Sequence, residues 1–320
     1  MATIDRSALG RVIAVMNGKG GVFKTTLAAN IGGLLANSGY RVLLVDLDPQ
    51  GNLAEDLGYT GDDRDDRGSA LADALSTGGR SAAEPVREVR KNLDVFVGGP
   101  ELERASAFLV TRGSTSEDTQ LALVRVLEPI AHNYDMVLID CPPGEEALQT
   151  AAAGAARWIL VPVKSDASSR RGFEAVADRM ELVRGLRAGI TGYNPTIGLL
   201  GVVLTGVGST AAAVKRMARH RIEGEGVDAT GDVFTASVRH SEATAQAARE
   251  QGKLAYELDD DLEAGPKWYE VLRGEAAQQS LAPRTAKSVA DDLQAVAEEL
   301  VDRLTAAESA TEPIPAGQQA

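Results

Sequence analysis

Short apolar runs alternate with segments of helical periodicity along much of the chain. Residues 11–16 (RVIAVM) form an apolar run that leads into a glycine-rich stretch. Residues 25–38 then place leucine and isoleucine side chains on one helical face, Gly39 supplies a helix stop, and residues 41–46 (RVLLVD) form the next apolar run. This order predicts a strand, a helix and a second strand, which together make one βαβ unit.

Further apolar runs extend this pattern. They predict strands at residues 93–97, 135–140, 158–163 and 197–204. Their valine, isoleucine and leucine content is typical of strands that are covered on both faces. The sequence therefore predicts an α/β fold in which helices flank a mostly parallel, twisted sheet.

Composition and charge limit the classes of function. The chain has 320 residues, enough for one large α/β domain or two smaller ones. Its single cysteine, Cys141, cannot form an internal disulfide, and its three histidines lack metal-ligand spacing. No apolar run approaches the roughly 20 residues that span a bilayer, so we expect a cytoplasmic protein that does not insert into membranes. The net charge of −13 opposes nonspecific binding to DNA, which would require a local basic patch.

The strongest chemical signal is the loop between the first predicted strand and the first predicted helix, residues 18–26 (GKGGVFKTT). Such a loop can curl so that its N–H groups face phosphate oxygens, and the following helix N-terminus favours an anion. In this pattern Lys24 reaches the β- and γ-phosphates, and the Thr25 hydroxyl is a ligand of Mg²⁺. A purely structural turn is the alternative, which the strand-to-helix context disfavours. The candidate nucleotide-binding residues are Gly18, Lys19, Gly20, Gly21, Val22, Phe23, Lys24, Thr25 and Thr26.

Phe23 departs from the phosphate-loop pattern, which has glycine immediately before the lysine. A side chain at this position obstructs the approach of the backbone to phosphate, or requires dihedral angles that glycine adopts more readily. Two interpretations stay open. Either the loop adjusts and tolerates Phe23, or Phe23 weakens nucleotide binding or slows turnover.

GKGGVFKTT resembles the deviant Walker A motif GKGGVGKTT of the ParA/MinD superfamily of P-loop ATPases. In that family the early lysine, here Lys19, reaches across an ATP-dependent sandwich dimer to the partner's phosphates. The resemblance implies ATP and Mg²⁺ as cofactors and a catalytic role for both Lys19 and Lys24. A solvated surface lysine is the alternative for Lys19.

Two later segments carry the resemblance further. Residues 45–52 (VDLDPQGN) look like the family's switch segment, which assigns Asp46 to orienting the attacking water and Asp48 to shaping the loop. Residues 134–144 (YDMVLIDCPPG) resemble the Walker B segment, which implies that Asp140 orients Mg²⁺ through a coordinated water. Either aspartate alone would be interpreted as a cap or turn residue, but the three motifs occur in the family's order.

The resemblance covers residues 11–253 and implies one ParA-like P-loop ATPase domain at residues 1–262. Residues 263–283 look like an insertion. Residues 284–306 are predicted to form a helix that packs on the domain, because their apolar side chains recur at helical spacing. Residues 307–320 contain little to bury and are predicted to be a disordered tail.

The ParA-like branch of the superfamily fits this sequence best. Iron–sulfur carriers of the superfamily need cysteines, and MinD has a basic amphipathic membrane helix where this chain has an acidic one. The resemblance implies an ATP-dependent homodimer that partitions DNA or positions cargo. It would bind nonspecific DNA on the nucleoid and be stimulated by a ParB-like or cargo-adaptor protein. The alternatives are a nucleotide-responsive adaptor impaired in hydrolysis by Phe23, and a MinD-like membrane-positioning ATPase.

The candidate DNA-binding residues are basic. Lys215, Arg216 and Arg219 share one face if their segment is helical, and Arg239 resembles a basic position of chromosome-segregation ParA proteins. These residues would neutralise phosphates without reading the base sequence. A solvated charged surface is an equal alternative.

Overall fold

A computed structural model describes residues 4–164, 169–208, 232–265, 273 and 282–311. The strands within these residues are β1 (Val12–Val15), β2 (Val42–Asp46), β3 (Val86–Arg90), β4 (Leu93–Phe96), β5 (Met136–Asp140), β6 (Trp158–Lys164), β7 (Gly198–Val207) and β8 (Val233–Arg239). They form one sheet in the order β3-β4-β2-β5-β1-β6-β7-β8. Only the β3–β4 pair is antiparallel among these strands.

Helices cover both faces of this sheet. Those within the described residues are α1 (Lys24–Asn37), α2 (Asn52–Leu57), α3 (Ser69–Leu75), α4 (Leu102–Arg112), α5 (Glu117–Leu127), α6 (Glu146–Ala155), α7 (Ser169–Arg184), α8 (Glu242–Gln251), α9 (Ala255–Ala264) and α10 (Ala286–Thr311). Along β1, Val12 and Ala14 belong to one apolar core, whereas Ile13 and Val15 belong to the other. Because side chains alternate along a strand, the continuous apolar run of β1 fills both cores.

The predicted α/β fold with a mostly parallel sheet is confirmed. Every strand expected from an apolar run is present, and no end is displaced by more than three residues. The first helix begins at Lys24, and the left-handed Gly39 (φ 95°) follows its end as expected. Two further strands, β3 and β8, were not predicted.

The terminal helix α10 packs on the sheet. Leu293, Val296 and Leu300 fill the core beside α1. The Glu299 carboxylate accepts hydrogen bonds from the backbone N–H groups of Thr235 and Ala236 in β8. The helix includes residues 307–311, which were predicted to lie in a disordered tail. Alanines favour the extra turn, and Glu308 forms an ion pair with Arg11 at 2.6 Å. The rest of that segment, and most of the predicted insertion, lie outside the described residues.

Candidate phosphate-binding site

The glycine-rich loop lies at the carboxyl end of β1, near the middle of the sheet. Asn17 anchors its start, because its side-chain amide donates to the Pro162 carbonyl at 2.7 Å and its Oδ1 accepts from the Lys19 N–H at 2.8 Å. On the other side, the Thr205 hydroxyl donates to the Val22 carbonyl at 3.2 Å. Neighbouring strands therefore fix both ends of the loop before any ligand binds.

Lys24 is buried beneath the loop, with 6% of its surface exposed. Its ammonium group donates to the Lys19 carbonyl at 3.0 Å. Burial lowers the pKa of Lys24, whereas the carboxylates of Asp140 and Asp48 act to raise it. A desolvated cation at the N-terminus of a helix is well suited to a phosphate ligand.

Phe23 adopts the conformation that a glycine would take. Its backbone is left-handed (φ 70°, ψ 24°), and it is the residue immediately before α1. The Phe23 carbonyl still accepts the Leu27 N–H at 2.9 Å, which is the first bond of the helix. The loop therefore keeps its turn, at a cost on the order of 1–2 kcal/mol for a residue with a Cβ in this region. This geometry supports the interpretation that the loop tolerates Phe23.

Two aspartates end adjacent strands beside the loop. Asp46 of β2 and Asp140 of β5 are register partners, with 0% and 1% of their surfaces exposed. Both Asp140 oxygens and Asp46 Oδ2 lack a hydrogen bond of ordinary geometry to any described residue. Burial raises the pKa of Asp140, whereas the nearby Thr25 hydroxyl and Lys24 lower it. Burial, and then the proximity of Asp140, raises the pKa of Asp46 well above its usual range.

These groups fit a hydrated magnesium ion and a polyphosphate. Buried carboxylate oxygens without partners are costly unless a ligand satisfies them. Within the described residues, no group of three or more His, Cys, Asp and Glu side chains is arranged to hold a metal by itself. The two buried carboxylates of Asp46 and Asp140 suit Mg²⁺, which proteins hold through one or two carboxylates together with water and substrate phosphates.

The two aspartates of the switch segment occupy different environments. Asp46 is covered by Gly98, where an added Cβ would lie 2.3 Å from the Asp46 carboxyl carbon. Asp48 retains 6% exposure, donates its N–H to Asp46 Oδ1 at 2.9 Å, and accepts the Gln50 N–H at 2.9 Å. Sequence reasoning did not assign Gly98 to the site. The signal was the glycine pair at residues 98–99, which begins two residues after the end of β4, the strand that neighbours β2.

The DNA-binding candidates are not brought together within the described residues. Lys215, Arg216 and Arg219 lie outside those residues. Arg239 ends β8 and forms a two-pronged ion pair with Asp292 of α10, at 2.7 Å and 2.9 Å. Its charge is therefore balanced within the chain.

Comparisons with known proteins place this site in a family. The chain matches the AAA domain family over residues 10–189. It is 37% identical to the chromosome partitioning protein ParA of Caulobacter vibrioides over 197 residues, which are 61% of this chain and 69% of that protein. The chain belongs to the ParA/MinD superfamily of P-loop ATPases. The ParA of Myxococcus xanthus is 32% identical to this ParA-like chain over 204 residues, which are 62% of the chain and 66% of that protein, slightly less than two thirds of its length.

Solved structures agree on the fold of the ParA-like chain. The ATP complex of a Cyanothece McdA variant superimposes with a TM-score of 0.65 at 20% identity, covering 91% of this chain and 96% of that one. The cobyrinic acid a,c-diamide synthase of Mycobacterium smegmatis, with bound ADP and magnesium, gives a TM-score of 0.58 at 27% identity, covering 85% of this chain and 99% of that one. The P-loop architecture predicted from the motifs is confirmed. Within the described ranges, no helix is both long and apolar enough to cross a membrane.

Proposed function

We propose that this ParA-like chain binds ATP and Mg²⁺ at the glycine-rich loop and hydrolyses ATP as the switch of a DNA-partition or cargo-positioning system. The observation that carries this proposal is one cluster at the carboxyl edge of the sheet. It combines the desolvated Lys24, the half-buried Thr25, and the buried Asp46 and Asp140. Three of the four carboxylate oxygens of these aspartates, Asp46 Oδ2 and both of Asp140, lack a hydrogen bond of ordinary geometry to any described residue. A polyphosphate with its cation would satisfy all four groups.

The residues divide the work as follows. Lys24 and the loop N–H groups would hold the phosphates, while Thr25 and Asp140 would hold and orient Mg²⁺. Bound magnesium would offset the charge that develops during phosphoryl transfer. Lys19 is half-buried in the loop, and the resemblance implies that it would reach the phosphates of a second subunit.

The first test is binding of ATP in the presence of Mg²⁺, measured by calorimetry. Lys24→Ala should weaken binding about 10- to 100-fold, because it removes a charged hydrogen bond to phosphate. The matched control is Lys91→Ala, which removes an exposed lysine from the β3–β4 turn and should leave the affinity unchanged. Absence of ATP uptake by the unmodified chain would contradict the proposed function.

The identity of the water-orienting carboxylate needs its own test. The resemblance assigns this role to Asp46, but Asp46 is sealed beneath Gly98 and its raised pKa favours the neutral form. Asp48 is buried less completely, with 6% of its surface exposed against 0% for Asp46, and it acts electrostatically on Lys24. The geometry therefore favours Asp48 for contact with water, with Asp46 holding the Asp48 backbone in place.

Single-turnover hydrolysis at saturating ATP separates these two roles. Asp48→Asn should slow hydrolysis by about 100-fold or more while ATP affinity changes little. Asp46→Asn should have the smaller effect on the chemical step. The opposite order would return the role to Asp46, as the sequence motif suggested.

The DNA and partner roles follow from family membership and from the charge distribution. Dimerisation through Lys19 would depend on ATP, and nonspecific DNA would be held by Lys215, Arg216 and Arg219. Arg239 could join them only by exchanging Asp292 for a DNA phosphate. A ParB-like or cargo-adaptor protein would stimulate hydrolysis and release the dimer. Light scattering with ATP tests the first step: Lys19→Ala should remain monomeric under conditions in which the unmodified chain dimerises.

Phe23 supports a second candidate, a nucleotide-responsive adaptor that binds ATP without appreciable turnover. The left-handed backbone of Phe23 costs conformational energy that a glycine at this position would not cost. Steady-state ATPase assays with and without DNA distinguish the two candidates. The switch hydrolyses ATP faster with DNA and partner, whereas the adaptor binds ATP and releases no phosphate.

A further inference from the structure

The Phe23 ring sits against the ends of three strands, β6, β7 and β8. The Lys164 ammonium, at the end of β6, lies 5.4 Å from the ring centroid. A Cβ built on Gly206 of β7 would lie 3.5 Å from the ring edge. His240, directly after β8, meets the ring edge-to-face, with the centroids 6.2 Å apart and the planes at 82°. The ring is thus enclosed on the side of the loop that faces these strands.

The residues around the ring are themselves fixed by the sheet. The His240 N–H donates to the Val207 carbonyl at 3.2 Å, which holds its backbone beside the end of β7. The Val22 carbonyl, one residue before Phe23, accepts a hydrogen bond from the hydroxyl of Thr205, which precedes Gly206. Gly206 has a left-handed backbone (φ 64°), and a Cβ at this position would be in van der Waals contact with the ring.

Holding the ring has a consequence for the backbone of the loop. A glycine would occupy the left-handed region unaided, whereas a phenylalanine leaves it unless tertiary contacts compensate. The N–H groups that follow Phe23 belong to the first turn of α1, which faces bound phosphate. Loss of the ring contacts would therefore shift the loop away from its phosphate-binding shape.

We propose that His240 and Lys164 are positioning residues for nucleotide binding, which act by holding Phe23 in the left-handed conformation that shapes the phosphate loop. The inference rests on the proposed ATP site. It adds side-chain contacts that stabilise the loop backbone, which a loop with glycine at position 23 would not need. The nucleotide-binding site thereby extends to the end of β8, which is also tied to α10 through Arg239.

The test is a double-mutant cycle on ATP affinity, measured by calorimetry with Mg²⁺. His240→Ala should weaken binding about two- to tenfold, the range expected from loss of an edge-to-face contact. His240→Phe keeps a ring in place and should restore most of the affinity. In a Phe23→Gly background, His240→Ala should have no effect, because the left-handed backbone no longer needs support.

Further variants separate the ring from the backbone. Phe23→Ala removes the ring but keeps the Cβ that disfavours the left-handed backbone, so it should bind ATP more weakly than Phe23→Gly. Lys164→Met keeps the aliphatic stem beside Gly206 and removes the charge over the ring, and it should lower the affinity only where Phe23 is present. His240 is exposed, so its variants should retain the unfolding temperature of the unmodified chain.

Each outcome decides the inference. Equal effects of His240→Ala in the unmodified and Phe23→Gly backgrounds would mean that His240 acts independently of the ring, which overturns the positioning role. Unchanged affinity of His240→Ala in the unmodified background also overturns it, while leaving the proposed function intact. Absence of ATP binding in both the unmodified and the Phe23→Gly chains instead removes the proposed function itself.

Discussion

Asp56 shows how one buried carboxyl affects the stability of the fold. It lies on α2 with 7% exposure, and burial raises its pKa to about 6, although Arg249 at 3.8 Å partly compensates. A carboxyl with a higher pKa in the folded than in the unfolded state destabilises the fold once it ionises. The penalty is absent below the unfolded pKa, grows as the pH rises from about 4 to 6, and is complete above that range.

Asp56→Asn should therefore raise the free energy of unfolding by about 1–3 kcal/mol at neutral pH, and the gain should disappear near pH 4. Urea denaturation at the two pH values measures this difference. The matched control is Glu55→Gln, which removes the same charge from the exposed neighbour and should change stability little. A gain that is equal at both pH values would contradict ionisation as its cause.

The sequence gives little indication of this behaviour. Asp56 stands in the segment NLAEDLG, where the helical pattern alone does not distinguish it from the exposed Glu55. Its burial depends on α8, which lies far away in the chain and packs against α2. Phe23 differs in this respect, since the phosphate-loop pattern marks its position as one for glycine. The motif therefore predicts the backbone strain, but not the residues that hold the ring.

At the scale of elements, α2 and α8 meet through their C-terminal glycines. Gly58 and Gly252 are both left-handed, and a Cβ on Gly58 would lie 2.8 Å from the Gly252 carbonyl oxygen. Arg90 bridges the same ends, donating to the Leu57 and Gly252 carbonyls at 2.9 Å each. The switch segment therefore leads into α2, and the C-terminal end of α2 is held in place by Arg90 and by contact with Gly252.

Gly58→Ala should destabilise the chain more than Gly61→Ala does. Both glycines are left-handed, with φ values of 67° and 72°, but no heavy atom lies within 4 Å of a Cβ built on Gly61. The Gly61 variant measures the cost of the backbone conformation, about 1 kcal/mol. The Gly58 variant should add about 1–3 kcal/mol from the displaced α8. Urea denaturation measures both, and equal losses would mean that the contact between the helix ends contributes nothing.

The two strands that the sequence did not predict share a physical reason. β3 is an edge strand (VREVR) whose charged side chains are largely exposed, so it lacks the apolar run that marks the inner strands. β8 (VFTASVR) lies at the other edge and buries its second face only because α10 covers it. The apolar composition of an interior strand predicts its burial from sequence alone, whereas the burial of an edge strand depends on partners that are distant in sequence.

At the scale of the molecule, parallel topology explains why three motifs that are separate in sequence meet at one candidate site. Parallel strands place their carboxyl ends at one edge of the sheet, and ligands of such folds bind there. β1 leads to the phosphate loop, Asp140 ends the adjacent strand β5, and Asp46 ends β2 in direct register with Asp140. The roles within the cluster were harder to predict, because the difference between Asp46 and Asp48 depends on how Gly98 covers one of them.

Charge at this scale sets the condition for DNA binding. With a net charge of −13, the whole chain repels a polyanion, so any affinity must come from a few basic residues and must fall steeply with salt. Each phosphate contact contributes about 0.9 to the slope of log affinity against log salt concentration. Replacing Lys215, Arg216 and Arg219 with alanine should therefore reduce that slope by up to about 3.

Fluorescence anisotropy with a nonspecific duplex and ATP, over a series of salt concentrations, measures this slope. The control is Arg11→Ala, because Arg11 is an exposed arginine beside the amino end of β1, at the opposite edge of the sheet from the phosphate loop, and pairs with Glu308. It removes one positive charge from the total without touching the proposed patch, so it should leave the slope unchanged. If the triple variant keeps the slope of the unmodified chain, the DNA contact lies elsewhere. Arg239→Ala would then be the next variant to measure, since Arg239 can meet a phosphate only by leaving Asp292.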